Sequence, residues 1–406
     1  MVRLRGGNLV LADRVVSGGA LAIDGGRIVE LGADAGASAG DVDCQGCWVL
    51  PGFIDAHIHG AQGTDVLSNA AAVARVAAHL PRHGVTGFCP TAVACAPEML
   101  DRFLGAVGAA ATTPAGSARV LGAHLESNFI NPAYRGAQPE ACLRRPPHAG
   151  EPRTCDGEFT GVAILETIAA HRPHVRIVTL APELDGGLDL VSALVAAGHR
   201  VSLGHSAASF EVGRAAIAAG ARHATHLFNR MPPLSHRTPG LAGAVLDDDL
   251  VTCEVVCDGY HVHPAMVRMV ARTKGTAGVL AITDGTAGAG LPVGATARLG
   301  DHEIYVRDGR AELADGTLAG SVVTMDGAFR MLVHQAGLSV VEAACLCATT
   351  PAQALGRPDL GQLDVGRAAD LVVLDASFQV RQTWVNGTLA WNSSPSGAVS
   401  ASEGLQ

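Results

Sequence analysis

Residues 53–59 read Phe53-Ile54-Asp55-Ala56-His57-Ile58-His59, a short and mostly apolar run that ends on two imidazoles. Seven more apolar runs follow, at Thr86–Thr91, Arg119–Glu126, Val175–Pro182, Arg200–His205, Arg222–Leu227, Val251–Asp258 and Gly278–Asp284. Runs of this length between turn signals read as buried strands. Between most of them lie Ala-rich stretches with helical patterning, at Ala70–His83, Thr160–His171, Leu188–Gly198, Ser209–Gly220 and Pro264–Arg272. Eight strands separated by helices predict an α/β chain folded as a (β/α)8 TIM barrel.

The flanks have a different grammar. Residues 1–50 carry short alternating runs (Asn8–Leu11, Gly19–Ile23, Arg27–Leu31, Cys47–Leu50) broken by Gly-Gly and Asp-Gly pairs. That pattern predicts a small antiparallel β-unit. From Gly361 onward strand-like runs return at Ala369–Asp375, Val380–Val385 and Thr388–Trp391, placed to rejoin the N-terminal sheet. The expected organisation is a small β-sandwich domain built from 1–50 plus 361–392, a barrel over 51–360, and a disordered Ser- and Gly-rich tail over 393–406.

Composition narrows the function classes. A chain of 406 residues, 48% hydrophobic, can bury a large core. Its mean hydropathy is +0.26, yet no stretch of about 20 residues runs apolar without Gly, Pro or charge, so no transmembrane helix is predicted. Met1–Leu11 lacks the apolar block and cleavage site of a signal peptide, which makes the cytoplasm the expected compartment. A net charge of −9 with no basic tract argues against nucleic acid as a partner. The ten cysteines form no disulfide framework. Cys44 and Cys47 lack the second pair that a structural zinc site needs and read as buried thiols. Lys274 is the only lysine.

Polar residues close six of the eight runs: His57 and His59 the first, Glu126 the third, His205 the fifth, His226 the sixth, Asp258 the seventh and Asp284 the eighth. In this fold active sites form at the C-terminal strand ends. A core strand gains nothing from a terminal His or Asp, because burying one unpaired is costly. His57-x-His59 puts two imidazoles on one side of a strand. With Glu126, His205 and His226 they make five imidazole and carboxylate ligands, a set that suits Zn²⁺ or another borderline divalent ion, one or two per chain.

The same residues carry a family resemblance. Pro-Gly-Phe-Ile-Asp-Ala-His-Ile-His-Gly (51–60) resembles the entry motif of the amidohydrolase superfamily, and Gly-Arg-Ala-Ala-Asp-Leu-Val-Val-Leu-Asp (366–375) resembles its closing segment. Across nearly the whole chain the sequence is similar to the N-acetylglucosamine-6-phosphate deacetylase family. The shared motifs, in order, are His-Leu-Glu (124–126), Leu-Ala-Pro-Glu (180–183), Gly-His-Ser (204–206), Thr-His-Leu-Phe-Asn (225–229), Arg-Thr-Pro-Gly (237–240), Asp-Gly-Tyr-His-Val (258–262), Thr-Asp-Gly (283–285) and Leu-Ala-Gly-Ser (318–321). Many binuclear amidohydrolases bridge their metals with a carboxylated lysine after the fourth strand. Lys274 precedes the eighth, so any bridge must come from a carboxylate, and Glu126 is the candidate.

The resemblance implies hydrolysis of the acetamide of an N-acetylated amino sugar phosphate. The metal lowers the pKa of water toward neutrality. Asp284 is expected to take the water's proton and hand it to the leaving amine, its alternative roles being metal ligand or helix cap. The phosphate would be held by backbone at Asn229 and Arg230, by Arg237 and by His261, while Ala137, Gln138, Asp258, Leu318, Ala319 and Gly320 line the sugar. In the family the counterpart of Arg237 reaches across a subunit interface, which implies a homodimer. Glu183, His236 and His263 are read as structural or rim residues. The chain departs from the family where Ser127-Asn128 replaces Gly-Pro, where Gln138 stands for a frequent His, and where Arg230 replaces a common Ala. It also carries about ten extra residues within Arg144–Phe159. Two other readings are a deacylase of an unphosphorylated N-acyl compound and a non-catalytic sugar-binding barrel, the latter expected to lack some of these ligands.

Overall fold

The computed structural model describes residues 1–34, 36, 38–112 and 114–393. The tail expected to be disordered lies, from residue 394 on, outside the described residues.

Eight parallel strands run in sequence order around a barrel: Phe53–Ile58, Val85–Ala92, Ala123–Glu126, Val175–Leu180, Arg200–Leu203, His223–Ala224, Thr252–Val256 and Val279–Ile282. The barrel closes between the eighth strand's end and the first, where Asp284 N donates to His57 O at 2.9 Å and His59 N to Gly285 O at 2.7 Å. All eight predicted strands are present, most of them trimmed at the C-terminal end. Past those ends the backbone turns left-handed, at His205 (φ 48°), His226 (φ 25°) and Asp284 (φ 50°), and so leaves the ladder.

Alternation sorts the strand side chains into two cores. Ile54, Ala56, Cys89, Leu121, Ile177, Leu280 and Ile282 cluster with Ala352, Leu355 and Leu360, so the barrel interior is filled and then stoppered by Thr350–Ala354 and the segment after it. Outward-facing residues such as Phe53, Val85 and Val178 pack against the surrounding helices. At least three of those helices were not anticipated, among them Met325–His334, whose Phe329 stacks on Phe53. Pro97–Ala109 buries Leu100, Phe103, Leu104 and Val107, an i, i+3, i+4, i+7 face. Gly240–Asp247 is nearly all buried, and Lys274 Nζ binds the carbonyls of Val245 (3.0 Å) and Asp248 at its end. The one lysine is therefore spent on a helix terminus.

Both chain ends contribute to one eight-stranded sheet. Val2–Val10, Val15–Asp24, Arg27–Ala33, Val42–Asp43 and Trp48–Pro51 come from the start, and Leu371–Leu374, Val380–Val385 and Thr388–Asn392 from the end. The join is the antiparallel pairing of Trp48–Pro51 with Leu371–Leu374. The sheet curls on itself, since Ile28 N donates to Arg367 O and Ala369 N to Gly26 O. Its concave side holds Leu4, Leu21, Ile23, Ile28, Leu371 and Trp384. Gly52 carries the chain from this sheet into the barrel, and a Cβ there would stand 2.2 Å from Thr86 Cγ2. Two small additions sit on the barrel's upper rim: a hairpin, Thr154–Cys155 with Glu158–Phe159, and a three-stranded sheet, Thr296–Leu299, His302–Arg307 and Arg310–Glu312.

Candidate metal centre

Five side chains meet at the C-terminal mouth of the barrel. Glu126 ends the third strand with Oε1 2.8 Å from both His205 Nε2 and His226 Nε2. His57 Nε2 and His59 Nε2 are 3.2 Å apart, and they stand 3.9 Å from Oε1 and 3.5 Å from Oε2 of Glu126 respectively. The residues thus form two trios that share Glu126: His57, His59 and Glu126 on one side, Glu126, His205 and His226 on the other. All five are buried. Asp284 Oδ1 completes the ring, 3.2 Å from His59 Nε2 and 3.4 Å from His57 Nε2.

The outer nitrogens show why this cluster calls for a cation. His59 Nδ1 faces the Thr91 carbonyl at 3.0 Å, His205 Nδ1 the Tyr134 carbonyl at 2.8 Å, and His57 Nδ1 the Glu254 carboxylate at 2.9 Å. Each partner can only accept, so each Nδ1 carries a proton, and in a neutral ring each Nε2 turns a lone pair inward. His205 Nε2 lies 3.0 Å from His226 Nε2. Lone pairs and carboxylate oxygens crowded together without donors repel unless positive charge lies among them. The donor set fits a divalent ion that accepts nitrogen and oxygen ligands.

The titration behaviour shows the same demand for positive charge, which a protonated His57 ring meets as a cation would. Burial would lower the His57 ring, but the carboxylates of Glu254, Asp284 and Glu126 outweigh it and raise the ring to about 10. Burial pushes Glu126 up, yet His205, His226 and His57 hold it well below the usual carboxylate range. Asp284 behaves likewise: burial is outweighed by His57 and His59, and the carboxyl sits below its ordinary value.

The supporting layer was not read from the sequence. Glu254, at the middle of the seventh strand, receives His57 Nδ1, His223 Nε2 (3.0 Å) and the backbone N–H of His226 (3.2 Å). It is fully buried and its carboxyl is held low: burial raises it, and His57 and His223 more than compensate. His124 packs edge-on against the His57 ring, 4.5 Å between centroids. A glutamate inside an otherwise apolar strand was the signal available in the sequence.

Above the two trios opens a cleft of about 390 Å³. Of the residues expected to touch substrate, Ala137, Gln138, Asn229, Arg230, His261, Leu318 and Gly320 line it. Asp258, Ala319 and Arg237 do not. Asp258 is buried behind His261, accepting its Nδ1 at 2.6 Å. Ala319 lies in a small core with Val93, Leu299 and Ile304. Arg237 is exposed on the loop before Gly240–Asp247. Gln138 accepts Ala94 N at 2.7 Å and donates to Glu126 Oε2. Ser127 and Asn128 face away from the cleft; Asn128 Nδ2 ties the carbonyls of Cys95 and Cys142 together at 2.8 and 2.7 Å. Glu183 braces the loops after strands three and five by accepting from Asn131 and Ser206, and His263 caps Pro264–Lys274.

A profile of the amidohydrolase family matches residues 48–390. N-acetylglucosamine-6-phosphate deacetylase of Rattus norvegicus is 38% identical over 413 aligned positions, which span 97% of this chain and 95% of the relative. N-acetylgalactosamine-6-phosphate deacetylase of Escherichia coli O157:H7 is 35% identical over 84% of this chain and 87% of its own length. The solved structure of a mutant N-acetyl-D-glucosamine-6-phosphate deacetylase from Mycobacterium smegmatis, in complex with N-acetyl-D-glucosamine-6-phosphate, superimposes with a TM-score of 0.87 at 34% identity, covering 96% of this chain and 99% of that one. With its histidine and carboxylate cluster at the strand ends and these likenesses along its length, the chain belongs to the amidohydrolase family, on the branch of the N-acetylglucosamine-6-phosphate deacetylases.

Proposed function

We propose that this chain hydrolyses the acetamide of an N-acetylated amino sugar phosphate, releasing acetate and the free amine, with N-acetylglucosamine-6-phosphate as the substrate. The observation that carries the reading is the pair of histidine–glutamate trios at the floor of a sugar-sized cleft, with the Asp284 carboxylate beside them. His57, His59, Glu126, His205 and His226 hold the metal, two ions per chain, and the nitrogen-rich ligand set favours zinc. An ion bound there supplies a Lewis acid that acidifies water and polarises the acetamide carbonyl.

The remaining chemistry belongs to the chain. Asp284 is ionised, buried and pointed at the ligand nitrogens, so it can accept the proton that the attacking water gives up. Water oxygen bonds to the carbonyl carbon, the C–N bond breaks, and Asp284 returns its proton to the amine nitrogen. His261, held by Asp258, presents Nε2 to the cleft, and Asn229, Arg230 and Gln138 stand around it as substrate contacts. Arg237, exposed and outside its own cleft, fits a role on the phosphate of a partner subunit in a homodimer. Among the described residues no helix is long and apolar enough to cross a membrane. The ten free cysteines suit a reducing cytoplasm.

Screening zinc-loaded protein against N-acetylated hexosamines with and without a 6-phosphate, reading acetate release, tests the proposal. The highest kcat/KM is expected on the 6-phosphate. A preference for unphosphorylated compounds would overturn the substrate assignment and leave the deacylase chemistry standing.

A further inference from the structure

A phosphate that leaves water needs fixed positive charge, and the cleft offers little of it. Among the described residues that line the cleft, Arg230 is the only arginine or lysine. Its backbone is left-handed (φ 52°), a conformation that residues with a Cβ adopt at a cost. The turn is tied down by Ser206 N, which donates to Arg230 O at 3.1 Å. The side chain then crosses Gly136, on the loop after the third strand. A Cβ on Gly136 would stand 2.6 Å from Arg230 Nε and 3.2 Å from Cδ and Cζ, and Gly136 itself has φ 61°. A side chain at position 136 would displace the guanidinium. Arg230 adds a weak pull to the carboxyl of Asp315, on an exposed turn, which is drawn down first by hydrogen bonds from Thr317. The guanidinium head is exposed and stands in the same wall as Asn229 and His261.

We propose that the Arg230 side chain determines specificity for the anionic end of the substrate, and that Gly136 is the position that allows it to lie there. This role is separate from any backbone contact at the same residue, and it rests on the amino sugar phosphate reading above. A guanidinium meets phosphate oxygens through a planar fork of donors, which an ammonium reproduces only as a point charge.

The test compares the ratio of kcat/KM on N-acetylglucosamine-6-phosphate to that on N-acetylglucosamine in five proteins: wild type, Arg230→Ala, Arg230→Lys, Gly136→Ala and the double variant. Arg230→Ala should lower the ratio about 5- to 50-fold, mostly through a higher KM for the phosphate ester. Arg230→Lys should recover part of that loss. Gly136→Ala should lower the ratio while Arg230 is present and add nothing in the Arg230→Ala background. A wild-type preference for the phosphate ester that survives Arg230→Ala overturns this inference alone, as does a loss that lysine deepens. Equal effects of Gly136→Ala in both backgrounds overturn the part assigned to glycine. A wild type without that preference overturns the substrate reading and this inference together.

Discussion

Glu254 shows how a single residue supports the whole centre. A carboxylate in the middle of a core strand is costly to bury, and here it is retained by the imidazoles of His57 and His223 and a backbone N–H. Glu254→Gln keeps the shape but removes the charge that orients His57 and makes its Nε2 more basic. Zinc affinity, read by chelator competition, should fall about 10- to 100-fold, and elemental analysis of the wild type should find two ions per chain. Unchanged affinity would deny Glu254 this role, and one tight ion per wild-type chain would deny the second trio. Asp284 makes the opposite case, since its distances fit both a ligand and a proton carrier. Asp284→Asn should keep most of the metal yet lose at least about 100-fold in kcat; near-normal turnover would remove the proton transfer from Asp284. The five histidine and glutamate residues of the candidate centre were legible in the sequence because each closes an apolar run. Glu254, His124 and His223 were not, because they lie within runs whose other residues already read as strand.

At the scale of elements, what matters is how strand ends become a site. The predicted strands overran at His205, His226 and Asp284, where left-handed backbone turns the side chains over the barrel axis. Hydrophobic patterning reports which residues are buried, and it says nothing about where the ladder of hydrogen bonds stops. The missed helix Gly240–Asp247 has the same cause: it is apolar on all sides and shows no helical stripe. The terminal sheet is fastened to the barrel by Arg119, at the entry to the third strand. Its guanidinium forks onto Asp370 at 2.7 and 3.0 Å, and Asp370 also accepts Asn386 N at 2.6 Å. Arg119 is about one-fifth exposed and Asp370 almost wholly buried, so removing the cation strands a buried charge. Arg119→Ala should cost about 2–4 kcal/mol in urea unfolding. A change under about 0.5 kcal/mol would mean that the sheet is held by packing alone.

The whole molecule raises the question of what one subunit lacks. Arg237 and Arg230 lie on the same loop, yet only Arg230 lines the cleft of its own chain. If Arg237 serves a neighbour's phosphate, two damaged subunits should repair each other. Arg237→Ala keeps Asp284, and Asp284→Asn keeps the arginine, so each mixed dimer contains one intact site. Unfolding and refolding the two variants together should restore about a quarter of wild-type activity on the 6-phosphate, as expected for random pairing in a two-fold dimer. No gain over the separately refolded variants would confine Arg237 to its own subunit or to no role. By itself the sequence determined the barrel, the terminal sheet and the residue types of the candidate metal centre, because strand period, helix stripe and polar strand ends are local and recur along the chain. Only the tertiary structure decided the rest: that Glu254 stands beneath the two trios, and that Arg230 enters the cleft while Arg237 stays out. Those facts depend on which distant loops come within a few ångströms of each other, and two arginines seven residues apart look the same until the chain has folded.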